Sequence, residues 1–231
     1  MVTDQNIVLD QIPFIVDEDE LYRKLRIEKD GEHAGELQEI IDLVSPLICP
    51  KAVFKVCDVE TMEDDLIEIC GVEFASRVLR KSLQEVDDVF AFIATCGNEL
   101  ENLNIPKYDF LKVFWVETVK EMALDTSVDF FTDFIKKEFK LEKLPSMSPG
   151  SGADNIWPIE QQKQLFSIFG DTEKLIGVRL TESCLMIPNK SVSGVCFSKG
   201  TEFIGCKLCD RENCQKRRAV FNSELKAEYA V

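Results

Sequence analysis

The sequence predicts a chain of mixed α and β structure around a shared core. Apolar residues recur at helical spacing in the first fifty positions and again through residues 109–139. Short β-branched and aromatic runs at 52–56 and 89–96 read as strands. After Gly177 the chain breaks into brief strand-like runs separated by turns.

Taken in order, residues 21–27 and 35–48 read as amphipathic helices. The second presents Leu37, Ile40, Ile41, Val44, Leu47 and Ile48 on one stripe and is ended by Pro50. Residues 52–56 and 66–70 are predicted strands, 73–83 a helix, and 89–96 a buried strand closed by Gly97. Cys70 and Cys96 then read as small core residues on strands. From 109 to 139 an apolar pattern including Val116, Val119, Met122, Phe131 and Ile135 runs without Gly or Pro, giving one long helix or two meeting near Thr126 and Ser127. Its aromatic stripe reads as core. The Ser/Pro/Gly-rich stretch 144–152 is a loop, followed by a helix over 159–169 that Pro158 starts. Strands are expected at 178–180, 184–187, 193–198 and 202–204. These apolar segments need a core shared with the earlier ones, so the loop is placed within one domain.

Composition narrows the function. With 231 residues, the chain is long enough to bury roughly 70–75% of its unfolded surface without disulfide staples. A formal net charge of −15 argues against nucleic acid or an anionic membrane as the main partner, because both require a positive face. Nine irregularly spaced cysteines do not form a secreted framework and imply a reducing compartment. No signal-like start and no apolar run of roughly 20 residues is present, so a cytoplasmic protein is expected. The single histidine, His33, sits among glutamates at a polar helix start, which argues against catalysis by a His dyad or triad.

The sharpest motif lies near the C-terminus. Cys206, Cys209 and Cys214 form a C-x2-C-x4-C run beside Lys216, Arg217 and Arg218. Three thiols within one or two turns of backbone can face one ion, and the local positive charge would favour thiolates. An iron–sulfur cluster is the favoured occupant, with zinc the alternative; Cys196 is the nearest candidate for a fourth ligand and Cys184 the next. The chain is accordingly divided into a body over 1–205 and a Cys-rich tail over 206–231. Ser148, Gly150 and Gly152, then Glu182 and Ser183, then Lys190 offer a separate set of polar turns for a small-molecule cleft. Glycine-rich turns expose N–H groups to a carboxylate or ribose, Glu182 suits a cationic amine and Lys190 an anion. The same residues also suit plain turn capping.

Several stretches resemble the activation domain of vitamin B12-dependent methionine synthase. They are residues 148–150, 157–163, 176–183, 186–188 and 190–194, together with 50–56 and 94–97, so the resemblance spans about residues 9–198. It implies an α+β fold, a twisted antiparallel sheet flanked by helices, that binds S-adenosylmethionine and assists reductive remethylation of oxidised cobalamin. The family's Arg-x-x-x-Gly-Tyr motif falls on residues 146–151. Gly150 keeps its glycine, whereas Ser146 and Ser151 replace the arginine and the tyrosine, removing the carboxylate clamp and the aromatic contact. Losing one charge-assisted bond of that kind costs about 1.5–3 kcal/mol. Asp129, or Asp125 one turn earlier, falls near the family's acidic position on the long helix.

The leading expectation is an accessory or reactivation protein for a corrinoid-dependent methyltransferase, with the cysteine-bound cluster relaying an electron to cobalamin held on a partner protein. One alternative is a non-enzymatic docking module for a corrinoid protein, with structural zinc. The other retains S-adenosylmethionine binding and cobalamin remethylation.

Overall fold

The computed structural model describes residues 5–103, 109–151, 156–198, 205–214, 217 and 219–229. Its centre is an antiparallel sheet in the order β4-β3-β2-β5-β9-β6, with β1 joining the edge of β2. The strands are β1 (Ile7–Leu9), β2 (Lys51–Thr61), β3 (Leu66–Ile69), β4 (Val72–Ala75), β5 (Asp88–Thr95), β6 (Ser146–Met147) and β9 (Ser191–Phe197). A separate hairpin pairs β7 (Arg179–Leu180) with β8 (Met186–Ile187). Helices α3 (Arg77–Ser82), α4 (Phe110–Phe139), α5 (Gln162–Ser167) and α6 (Thr172–Ile176) pack on the sheet, α1 (Glu18–Leu25) and α2 (Ala34–Val44) pack on α4 in a core of their own, and α7 (Ser223–Tyr229) closes the described chain. The fold is α+β, as the sequence predicts.

Strand alternation sends every second residue to each face. Val53, Val89, Ala91, Ile93, Val195 and Phe197 pack toward α3, α5 and α6, in the same core as Trp157 and Phe74. Ala52, Phe54, Phe90, Phe92, Ala94 and Cys196 face the other way, onto Phe131 and Ile135 of α4. Phe92 stacks on Phe131 at 4.8 Å between ring centroids, and Phe54 meets the same ring at 5.8 Å. Leu208 and Tyr229, from the C-terminal segment, are buried in the first of these cores.

Helix α4 is a single helix through Thr126 and Ser127. The Ser127 hydroxyl donates to Lys51 O at 2.8 Å, which ties the helix to β2 in place of a break. Asp109 caps its start by accepting from Lys112 N, and Lys140 ends it in the left-handed conformation.

Some expected elements change. The helix read over 73–83 begins only at Arg77, because residues up to Ala75 form β4 and Ser76 intervenes as N-cap, its hydroxyl accepting from Leu79 N at 3.0 Å. Cys70 lies on the tight turn between β3 and β4 at φ 56°, not within a strand. Residues 159–169 divide into a 3-10 turn and α5, and α6 was not legible beforehand. His33 is exposed at the start of α2, edge-on to Trp115 at 6.1 Å. The strand expected at 202–204 lies outside the described residues. Among the described residues no helix is long and apolar enough to cross a membrane.

Candidate functional site

A concavity of about 660 Å³ opens between α1, the middle of α4 and the β6–β9 edge. The register explains its floor. Ser146 pairs with Cys196, so Ser146 shares the α4-facing side of the sheet with Phe92 and Val192. Gly194 lets β6 and the residue after it lie close, since a Cβ there would collide with Met147 O and crowd Ser148 Oγ. From α4 come Met122, Asp125, Val128 and Asp129; from the N-terminal segment come Phe14, Ile15, Asp17, Glu20 and Lys24.

The electrostatics of this cleft are lopsided. Lys24 Nζ lies 3.6 Å from Glu20 and 4.0 Å from Asp125. The Asp129 carboxyl is held above the usual aspartate range, first by burial and then by the charges of Asp125 and Asp133, with Lys136 opposing.

The expected site residues divide accordingly. Ser148 and Asp129 line this cleft, as do Ser146 and Asp125. Gly150 stands just beyond at φ 72°, its N–H donating to Trp157 O at 2.8 Å, and a Cβ there would collide with Ile159. Ser151 turns its hydroxyl back onto Ser148 O at 2.8 Å. Glu182 and Ser183 are exposed at the tip of the β7–β8 hairpin, where Thr181 Oγ1 accepts from Leu185 N and contacts Ser183 Oγ at 3.1 Å. That hairpin borders a second, more apolar cleft of about 430 Å³, which Ser148, Pro149, Ile159, Leu185 and Met186 also line. Lys190 is engaged by Glu117 at 3.7 Å and Glu121 at 3.9 Å. Gly152 lies outside the described residues.

Sequence reasoning missed α1 as a wall of the larger cleft. The signal available was Asp17 followed by Glu20, an N-cap pattern in which Asp17 Oδ1 accepts from Glu20 N at 3.0 Å.

A polar network braces the same helix. Lys120 is buried and reaches Glu101 at 2.8 Å and Glu117 at 3.0 Å, while Asn189 donates to Glu117 at 3.0 Å. Burial pulls the Glu117 carboxyl up, yet bonds from Asn189 and Lys120 and the Lys190 charge bring it below its ordinary value. Burial opposes the Lys120 ammonium likewise, and Glu101 with Glu117 raises it regardless.

In the tail, the Arg217 guanidinium donates to the carbonyls of Cys206 (3.3 Å), Cys209 (3.3 Å), Ala219 (3.2 Å) and Arg211. The Cys-rich loop is therefore wound around Arg217 through its backbone. Among the described residues no three His, Cys, Asp or Glu side chains converge as a metal site. Cys196 sits between β5 and β6 on the α4 face, whereas Leu208 packs on the opposite face, so the sheet separates Cys196 from the tail thiols. Burial pushes the Cys196 thiol up, which opposes a thiolate ligand there. Cys184 is buried at the β7–β8 turn, lining the apolar cleft.

An antiparallel sheet carrying one long helix on one face, with a cleft at the sheet's edge, defines an α+β domain. The family model for the vitamin B12-dependent methionine synthase activation domain matches residues 133–219. A crystal structure of the MetH reactivation domain bound to AdoHcy superposes with a TM-score of 0.60 at 16% identity, covering 87% of this chain and 79% of that one. No curated protein matches this sequence. The resemblance read from the residues is thus met by a family model over residues 133–219 and by a shared fold over most of the chain.

Proposed function

We propose that this protein docks on the corrinoid protein of a cobalamin-dependent methyltransferase and supports the return of inactive cobalamin to its active state. The family match over residues 133–219 carries this reading, because that span holds the β6–β9 edge of the cleft. The cleft is of small-molecule size and has an apolar floor, which suits an accessory site beside a bulky cofactor. S-adenosylmethionine fits this cleft poorly. By the resemblance, the arginine that would clamp its carboxylate is replaced here by Ser146, and the lining is acidic. Titration calorimetry of the full chain against a cobalamin-loaded methyltransferase tests docking: saturable heat supports it, and none up to 100 µM, about −5.5 kcal/mol of binding, removes it.

The tail extends the proposal. Cys206, Cys209 and Cys214 share one segment but do not converge in this structure, so they would hold an iron–sulfur cluster only after the loop rearranges; such a cluster would supply single low-potential electrons. Arg217 gathers the carbonyls of Cys206 and Cys209 and so keeps these two residues near one another. Anaerobic purification followed by elemental analysis separates the readings: iron with sulfide supports the relay, whereas stoichiometric zinc replaces it with a structural tail. A purely docking role, with no electron transfer, is the alternative, and a cobalamin protein that is bound but not reduced any faster would support it.

A further inference from the structure

The larger cleft combines shape and charge, and the two are independent observations. Its floor is apolar, from Phe92, Met122 and Val192, and its volume of about 660 Å³ is that of a small-molecule pocket. Its rim carries four carboxylates, Asp17, Glu20, Asp125 and Asp129. Lys24 is the only cation among the described lining residues, and it already lies between Glu20 and Asp125. The hydroxyls of Ser146 and Ser148 can accept or donate hydrogen bonds but bring no charge.

We propose that this cleft binds an organic cation, a sulfonium or ammonium carried on an apolar or aromatic body, that lacks a carboxylate. The cationic centre is attracted to the Asp125 and Asp129 end, and the body covers Phe92 and Val192. A zwitterionic amino-acid end brings a carboxylate into a rim that already has excess negative charge and no uncommitted cation among its described residues. That end is rejected, because a buried or half-buried anion without a partner is disfavoured. Specificity thus arises from repulsion as well as attraction. The inference rests on the cleft being a ligand site, and it does not depend on any docked corrinoid protein.

The test is calorimetry on the full chain with two probes that differ by one group, S-adenosylmethionine and its decarboxylated form. The decarboxylated cation is expected to bind at least tenfold tighter. Asp125→Asn with Asp129→Asn is expected to weaken that cation at least tenfold, and Ser146→Arg to reverse the order of the two probes. Thermal melting of each variant checks that it folds. Equal or tighter binding of S-adenosylmethionine by the unaltered protein would overturn the proposal, as would no heat from either probe at millimolar concentration. Cation binding without any effect on a corrinoid protein would refute the reactivation reading and leave this inference standing.

Discussion

Lys120 shows how a single side chain holds the middle of α4. It is 5% exposed and shared between Glu101 and Glu117, so replacing it with an apolar residue leaves two carboxylates facing each other over a partly dry site. Lys120→Met is expected to cost about 3 kcal/mol, the low end for a broken buried pair because both glutamates keep some solvent. Urea denaturation measures it, and an unchanged midpoint would show the network to be idle. The pH window follows from the signs. The lowered Glu117 carboxyl contributes stability that is present above its unfolded value near 4.5 and is lost as pH falls through the folded value. The raised Lys120 ammonium contributes stability that is present below 10.5 and is lost as pH rises through its own folded value. Asp129 runs the other way. Its raised carboxyl makes the folded state bind a proton more tightly, so stability is lost as pH rises past its unfolded value toward the folded one. Asp129→Asn is expected to raise the melting temperature at neutral pH and to leave it unchanged near pH 3, where the native carboxyl is already protonated.

Helix α4 and strand β9 decide whether the cleft exists. Phe131 is fully buried and touches both Phe54 and Phe92, so Phe131→Ala removes the contact between helix and sheet. About 3–5 kcal/mol of destabilisation is expected by chemical denaturation, and a loss under 1 kcal/mol would show that the site collapses without cost. Gly194→Ala drives a Cβ against Met147 O and should cost about 1–3 kcal/mol while parting β6 from β9. These elements differ in how legible they were. The apolar period of α4 persists for thirty residues, and β5 is a continuous hydrophobic run, so both declare themselves. β1 is three residues and β6 two, too short for any pattern, and each exists only because a longer strand offers an edge. The helix expected from Glu73 was lost for a related reason: the local pattern is equally strand-like, and pairing of Leu66–Ile69 with Val72–Ala75 settles it. The site was half legible. Ser148 and Asp129 share the cleft, while Glu182, Ser183 and Lys190 belong to a hairpin tip and a salt-bridge network, because sequence shows residue type and not which face it meets.

At the scale of the molecule, the two faces of the sheet pack against different elements. The α4 face bears the acidic cleft, and the opposite core takes in Leu208 and Tyr229 from the Cys-rich segment. The cysteine spacing announced that segment, but its winding about Arg217 involves carbonyl oxygens, which no spacing reveals. The proposed role of this scaffold is to bring an inactive corrinoid back into use. It is tested most directly by adding the full chain, prepared without oxygen, to a methyltransferase corrinoid protein poised as Co(II) with a weak excess of low-potential reductant, and following the Co(II) electron paramagnetic resonance signal. The signal is expected to decay at least tenfold faster with the protein present, and Co(I) absorption to rise in step. An unchanged decay, with the same corrinoid protein demonstrably competent for chemical reduction, would contradict it.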